Sequence, residues 1–511
     1  MPLPLGSSSS LKLKGFRLVG VVCSVFVCCC LIGFWLLNPS GVNDEPNVDG
    51  RVTLQDGRFA LDGKPFFPMV INYIVALHLD STGLWVSPSR DYMVNDTAAY
   101  GDRSQAAKMI RADFRLMREL GFNAVRVVGV GELITHDPFS GKLSMRVHEP
   151  SGNSVVVSLL ENNHYNKYFE ALDSLFAYAE DEDLKVIFLT KMTAGYFATE
   201  NHLARLVKRF KDYKGLLAYD LFNEPLYFDP VDRKKSDVKA ITGRWKRIIR
   251  KHAPGQLMTL GLVGIREAFE WDPTIVETDF ISFHPYEYEP EQVRNEIAWY
   301  GKFVKTPWII GETSIPADND SIPYEDQRMF AVRTLEQSVA CGAIGYSWWQ
   351  YKDVEWRKFH ADYMGVLSRK GVTFTTRDSF SVEGSVKPVA DVFIKFNPSQ
   401  KFTPASLPNY YNYSSKRDVL IRGRVVSKNG DLMDNGVIMG WNSDWTKSYH
   451  TVTDETGSFE LGSDFPIFHC KVTALGWGHW LADLNQSDFK TMPDGSKMLK
   501  LGDIVVEDKV E

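Results

Sequence analysis

An α/β fold is predicted by three features of this 511-residue chain: eight apolar β-type runs in succession, amphipathic helical stretches between most of them, and a change of composition near residue 396. Near-continuous apolar strands, each followed by a helix, indicate a parallel sheet buried on both faces. Eight such units over about 340 residues match the size of a closed (β/α)8 TIM barrel. The expected organisation is a cytosolic tail at 1–17, a transmembrane helix at 18–37, the barrel at 51–396, a linker at 397–417 and a small antiparallel β-sandwich at 418–507.

Leu18 to Leu37 runs without a charge, about the length that spans a bilayer's hydrocarbon core as a helix. Lys12, Lys14 and Arg17 precede it, whereas Asp44, Glu45 and Asp49 follow it. This asymmetry predicts a cytosolic N-terminus and a body that is extracellular or lumenal. Secretion after cleavage of a signal peptide is the alternative, although "NPSG" makes a poor cleavage site. Four of the six cysteines (Cys23, Cys28, Cys29 and Cys30) lie in this span, so the body carries no disulfide framework and no zinc-type spacing. The net charge of −6 and the lack of a basic stripe exclude nucleic acid as an expected partner. No phosphate loop, metal set or Ser-His-Asp order is evident, so neither cofactor nor metal is expected.

The strands follow in order. "PFFPMVINY" (65–73) comes first, and the helix after it places Ala107, Ile110, Phe114, Met117 and Leu120 on one face before Gly121 stops it. "NAVRVVG" (123–129), "KVIFLT" (185–190) and "LLAYDLFNEP" (216–225) are the next three. "LMTLGLV" (257–263), "FISFHPY" (280–286), "PWIIGET" (307–313) and "IGYSWWQY" (344–351) complete the set. The long stretches 74–103 and 130–163 are expected as loops that shape a cleft.

In such a barrel the C-terminal strand ends surround a common mouth. Those ends read Asn72 and Tyr73, Arg126, Lys191, Asn223 and Glu224, His284 and Tyr286, Glu312, then Trp349. A single one of them is readily structural: Arg126 as the partner of a core carboxylate, His284 as a satisfied core histidine. Eight apolar strands that repeatedly finish in ionisable or aromatic groups are hard to explain by packing. Glu224 ends strand four and Glu312 ends strand seven, across the mouth from each other. Two carboxyls facing across a cleft suit glycosidic cleavage, one protonating the leaving oxygen while the other attacks the anomeric carbon or activates water.

"GRFALDGKPFFPMVINY", "NAVRVVG", "YDLFNEP", "ISFHPY", "WIIGET" and "GYSWWQYKD", in this order and at these strand positions, resemble the cellulase-type glycoside hydrolase family 5, within the clan of retaining β-glycosidases. The resemblance runs from about residue 51 to 390 and implies double displacement on a β-glucan or β-mannan type polysaccharide or oligosaccharide. It implies Glu224 as acid/base and Glu312 as nucleophile, oriented by Arg126 and the Tyr286 hydroxyl. It further implies Asn223 on the hydroxyl beside the reacting carbon, His284 on the sugar or the acid/base, and Trp349, rather than Trp348, as the platform beneath the sugar, since Asp353 then falls where relatives often have an acidic residue. A histidine that many members carry on the third or fourth strand has no evident counterpart, which leaves the sugar open. A transglycosylase with the same residues and a non-catalytic polysaccharide-binding barrel are the competing readings, and the presence of both glutamates speaks against the second.

Beyond the linker, "GRVVSKNG" and "TVTDETGSFEL" read as short strands with tight turns and resemble carboxypeptidase regulatory-like domains. Trp441, Trp445, Trp477 and Trp480 either pack this module or form a sugar-binding face.

Overall fold

Closure of the barrel is set by one pairing. Strand β1 (Met69–Asp80) lies parallel to β8 (Tyr346–Trp348), with Met69 opposite Tyr346 and Ile71 opposite Trp348. Between them run β2 (Ala124–Val128), β3 (Lys185–Leu189), β4 (Leu216–Asn223), β5 (Leu257–Leu262), β6 (Ile281–Phe283) and β7 (Trp308–Ile310), each parallel to its neighbours. The computed structural model describes residues 50–89, 102–131, 133–134, 143–149, 153–194, 197–229, 231–287, 289–354, 362–377, 379–405, 416–507 and 509–510. The transmembrane helix expected at 18–37 and the tail before it lie outside these residues, as do positions 406–415 of the expected linker. Among the described residues, no helix is long and apolar enough to cross a membrane.

Side-chain alternation explains the barrel's interior. Val70, Ala124, Ile187, Ala218, Leu257, Phe280, Ile309 and Ile344 form one buried apolar floor inside the barrel. Two residues further along their strands stand the buried polar groups Asn72, Arg126, Asp220, Thr259 and Ser282. The sequence therefore builds a dry base and a polar upper layer from one period-two pattern.

Among the described residues, six helices of 14 residues or more wrap the sheet: α1 (Arg103–Glu119), α2 (His164–Asp181), α3 (Phe197–Phe210), α4 (Lys235–His252), α5 (Pro290–Phe303) and α6 (Tyr324–Ala340). Helix α1 starts where the Asp102 side chain accepts from the Gln105 amide at 2.8 Å. It buries Ala106, Ile110, Phe114 and Met117, then ends at Gly121, whose φ of +92° suits glycine. A Cβ at Gly121 would stand 2.5 Å from the Phe393 carbonyl, so close packing of the chain's return also requires glycine there.

Three expectations need correction. The stretch 130–163 is no plain loop: the strands Leu133–Ile134, Ser144–His148 and Ser154–Ser158 pair there and reach β1 at His78. Residues 74–88 are not a loop: β1 continues to Asp80 and pairs back with the strand Gly83–Pro88, because alternating apolar residues on both arms are buried as a hairpin. The C-terminal sandwich is not wholly antiparallel. It consists of β9 (Val419–Val426), β10 (Gly436–Trp441), β11 (Ser448–Val452), β12 (Ser458–Ser463), β13 (His469–Ala474), β14 (His479–Asp483), β15 (Lys490–Thr491) and β16 (Lys497–Val505). The sheet orders are β12-β9-β16-β15 and β11-β10-β13-β14, with β9 and β16 parallel. The hairpin between β15 and β16 sets the direction in which the last strand meets β9.

The sandwich docks beside the mouth. Val437, Met439, Val452 and Leu475 belong to the same apolar core as the barrel and its helices. The buried Lys235 ammonium, at the start of α4, donates to Asp272 at 2.7 Å and to Thr473 and the Ala474 carbonyl at 3.1 Å. The Gly476 amide donates to the same Asp272 oxygen at 2.7 Å.

Candidate active site

The mouth is organised by one buried arginine. Arg126 reaches up from β2, and its guanidinium donates through Nε to Asp220 at 2.7 Å, through Nη1 to Asn72 at 2.9 Å and to Glu312, and through Nη2 to Asn223 at 2.8 Å. Strands β1, β2, β4 and β7 thus converge on a single planar fork, which a lysine could not replace. Asn72 in turn donates to the Gly311 carbonyl, the Ser347 hydroxyl and the Trp348 carbonyl at 2.9–3.1 Å. Its amide therefore ties strand one to strands seven and eight.

The second carboxyl arrives on a strained turn. Glu224 follows β4 in the left-handed region, with φ +50° and ψ +65°, where glycine would be cheaper. Its amide donates to the Gly261 carbonyl at 2.8 Å, and Pro225 begins a one-turn helix immediately behind it. The backbone thus aims the glutamate side chain into the mouth rather than along the sheet.

His284 stands between the two acids. Its Nδ1 lies 3.1 Å from Glu224 Oε1 and 3.6 Å from Glu312 Oε1. Room for the ring comes from glycines on the flanking strands. A Cβ on Gly261 would fall 2.5 Å from His284 Cε1, and one on Gly311 would fall 2.9 Å from His284 Nε2 and 1.8 Å from Ser282 Oγ. The Tyr286 hydroxyl donates to the other Glu312 oxygen at 3.2 Å. Oxygens of Glu224 and Glu312 and a His284 ring nitrogen all lie within 4.8 Å of one another.

Their environments set different protonation. Burial raises the Glu224 carboxyl to about 7, with Arg126, Arg266 and Lys191 opposing. Loss of water contact drives this rise. Burial also raises Glu312, and Arg126 opposes it both as a charge and as a donor. Burial lowers His284 to about 4, so the imidazole between the acids is neutral at pH 7. Burial and the Glu312 charge keep the Tyr286 hydroxyl protonated. The trio Glu224, His284 and Glu312 has the spacing of a cation site, but the Arg126 charge already sits on Glu312.

Arg126, Asn223, Glu224, His284, Tyr286 and Glu312 are thus brought together in one hydrogen-bonded group. Trp349 follows β8, half-buried, with its amide on the Thr313 carbonyl at 3.2 Å, which places it next to the end of β7. Lys191, after β3, has φ +42° and stands over the Phe228 ring at 4.6 Å. Asp353 does not face the cleft. It is buried, bonded to the Lys387 ammonium at 2.8 Å and the Gly365 amide at 2.7 Å, because the chain turns inward after Trp349.

Two residues escaped the sequence reading. Asp220 is the fully buried partner of Arg126 and lies two positions after Ala218, the same offset that separates Arg126 from Ala124 and Asn72 from Val70. That parity was available in the sequence. Glu267, after β5, accepts from the Leu226 amide at 3.0 Å and the Val263 amide at 3.4 Å, holding the turn that follows Glu224. Burial raises it to about 8. No strand-end rule would have found it.

The profile of the family described as Cellulase (glycosyl hydrolase family 5) matches residues 92–352, just over half of the chain. Among curated proteins, nothing matches. Among solved structures, GH5_18 from Streptomyces cattleya in complex with GlcNAc is 15% identical with a TM-score of 0.46, covering 71% of this chain and 86% of that one. Exo-beta-1,4-mannosidase Op5Man5 from Opitutaceae bacterium strain TAV5 is 17% identical with a TM-score of 0.46, over 67% of this chain and 61% of that one. The endo-1,4-beta-mannanase from Rhizomucor miehei is 14% identical with a TM-score of 0.42, over 68% of this chain and all of that one.

Proposed function

The chain belongs to glycosyl hydrolase family 5 and is a glycosidase that hydrolyses O-glycosyl bonds, and on that premise we propose that it retains anomeric configuration through a double displacement at Glu312 and Glu224. The observation that carries this reading is the approach of the two carboxyls to within 4.8 Å. A separation of about 5 Å favours direct attack on the anomeric carbon, whereas about 6.5–9.5 Å would leave room for an intervening water.

In this reading Glu312 is the nucleophile. Arg126 and Tyr286 hold one oxygen each and leave the carboxylate aimed into the mouth. Glu224, protonated near neutral pH, gives its proton to the leaving oxygen as the Glu312–sugar bond forms and the glycosidic bond breaks. It then takes a proton from the water that attacks the glycosyl-enzyme, releasing Glu312. Neutral His284 lies beside both acids without adding a charge, its Nδ1 3.1 Å from Glu224 Oε1. In the same reading Asn223, which Arg126 holds, binds the hydroxyl beside the reacting carbon, and Trp349 supports the sugar ring.

The proposed substrate is a β-glucan or β-mannan type chain, supported by the family alone. The proposed location is outside the cytosol, tethered by the apolar stretch 18–37 or secreted after its removal, supported by the charges that flank it. Proton NMR of the first product from cello- and mannohexaose tests the mechanism: a β-anomer formed first agrees with retention, and an α-anomer ends it. Azide added to Glu312→Ala with a 2,4-dinitrophenyl β-glycoside should yield the α-glycosyl azide, and a β-azide would move the nucleophile elsewhere.

A further inference from the structure

A cleft of about 440 Å³ lies between the turn that follows Glu224 and the face of the sandwich. This is within the range of about 300–1,000 Å³ typical of small-molecule sites. One wall is Pro225 and Leu226, the residues next after the acid/base; the other is Met439, Trp441 and Trp445 of the sandwich. Glu267 fixes the first wall through the Leu226 amide. Cleft and acid/base therefore share one rigid turn.

Trp445 is the feature that packing does not explain. Its side chain is 49% exposed, in a chain position with φ +60°, which a bulky residue seldom adopts. One ring face stacks on His469 at 4.0 Å and 12°, and His469 is pinned in turn by Asp483 at 2.6 Å. Trp441 stands 5.2 Å away at 48°, so the two indoles form an angled wall. The turn between them is held by Asn442, whose side chain accepts from the Lys447 amide at 3.0 Å and donates to Thr446 at 3.0 Å. A strained, exposed indole locked in place is preorganised for a flat apolar partner.

The charges around this wall are largely matched to each other. Asp229 pairs with Arg233, the Arg233 amide donates to Glu270 at 3.1 Å, and Lys471 lies 3.8 Å from Glu270. Such a rim offers hydrogen-bond donors and acceptors without a large excess charge. Aromatic faces with a balanced polar rim fit a neutral sugar, whose C–H face stacks while its hydroxyls bond around the edge.

From this arrangement we infer that the sandwich contributes a second carbohydrate-binding site, which holds neutral β-linked sugar units on the leaving-group side of the catalytic pair. The side is assigned by adjacency: Glu224 protonates the leaving oxygen, and Pro225 and Leu226, the next residues in the chain, wall the cleft. Trp477 and Trp480 take no part, since both pack on the sandwich's own core. The assignment of a side rests on the glycosidase reading above; the binding of sugar by the cleft does not.

The test uses the full chain and Trp445→Ala, an exposed position whose loss spares the core. Each protein is assayed on 4-nitrophenyl β-glucoside and β-mannoside and on cello- and mannohexaose. The inference predicts a roughly tenfold fall in kcat/KM for a hexasaccharide, carried by KM, with the aryl glycosides unchanged, as for loss of one large aromatic contact. Trp445→Phe should recover most of it. Equal kinetics on the hexasaccharide, or an equal fall on both substrate kinds, overturns the inference. If the wild type cleaves none of these, the glycosidase reading fails on that count, and tryptophan fluorescence titrated with the same hexasaccharides decides the cleft separately. A saturable change that vanishes in Trp445→Ala upholds sugar binding, and no change in the wild type refutes it.

Discussion

Two places in this molecule bury charge, and they do so differently. At the joint between barrel and sandwich, Lys235 spends all three of its donors, on Asp272, Thr473 and Ala474, and the Gly476 amide fills another Asp272 lone pair. At the mouth, Arg126 is as fully engaged and Glu312 has a partner on each oxygen, yet Glu224 is not. Glu224 has one oxygen near His284, and among the described residues no protein group hydrogen-bonds the other. Buried charge alone therefore does not mark a site. Unspent hydrogen-bonding capacity facing an opening does, because closed networks hold structure while open ones are completed by a ligand.

The comparison can be broken at several points. The largest effect should come from Glu312→Ala, with kcat on an aryl glycoside reduced by about 10⁴-fold or more and the melting temperature little changed. A large loss of stability instead would make Glu312 structural, like Asp272. Lys235→Met should do the reverse. Leaving Asp272 buried without its cation should cost about 3–5 kcal/mol in urea unfolding, while activity per folded molecule stays near wild type.

Gly311→Ala sharpens the geometry. A Cβ 2.9 Å from His284 Nε2 and 1.8 Å from Ser282 Oγ must displace the imidazole between the acids. A shift of about 1 Å there should lower kcat by about 10²-fold. Unaltered kcat would show that His284 need not hold its place. The smallest effect is the pH profile. Glu224 must be protonated to act as acid and its carboxyl is raised to about 7, so kcat/KM should fall about tenfold per unit as pH rises above 7. An alkaline limb beginning well below 7 would contradict the burial that raises this group.

Much of the mouth was legible because barrel strands follow local rules. Period-two alternation places every second residue inward, and the C-terminal end of each strand is the end that opens, so Arg126, Glu224, His284 and Glu312 could be picked from their positions. Asp220 obeyed the same rule and was passed over. The inward turn that buries Asp353 could not be read, because it lies past the last strand, where no periodicity constrains the chain. The parallel pairing of β16 escaped because strand direction in a sandwich depends on where a distant hairpin docks.

The sequence by itself determined which residues stand at the rim and in what order around it, since alternation and strand succession are properties of neighbouring residues. Only the tertiary structure decided that two acids 88 positions apart come within 4.8 Å, that an uncharged imidazole separates them, and that a sandwich strand and the turn after it bring indoles to the turn behind the acid. Those relations depend on how the ring closes from Tyr346 to Met69 and on what the shared core holds against it, and no local pattern encodes a distance across a barrel.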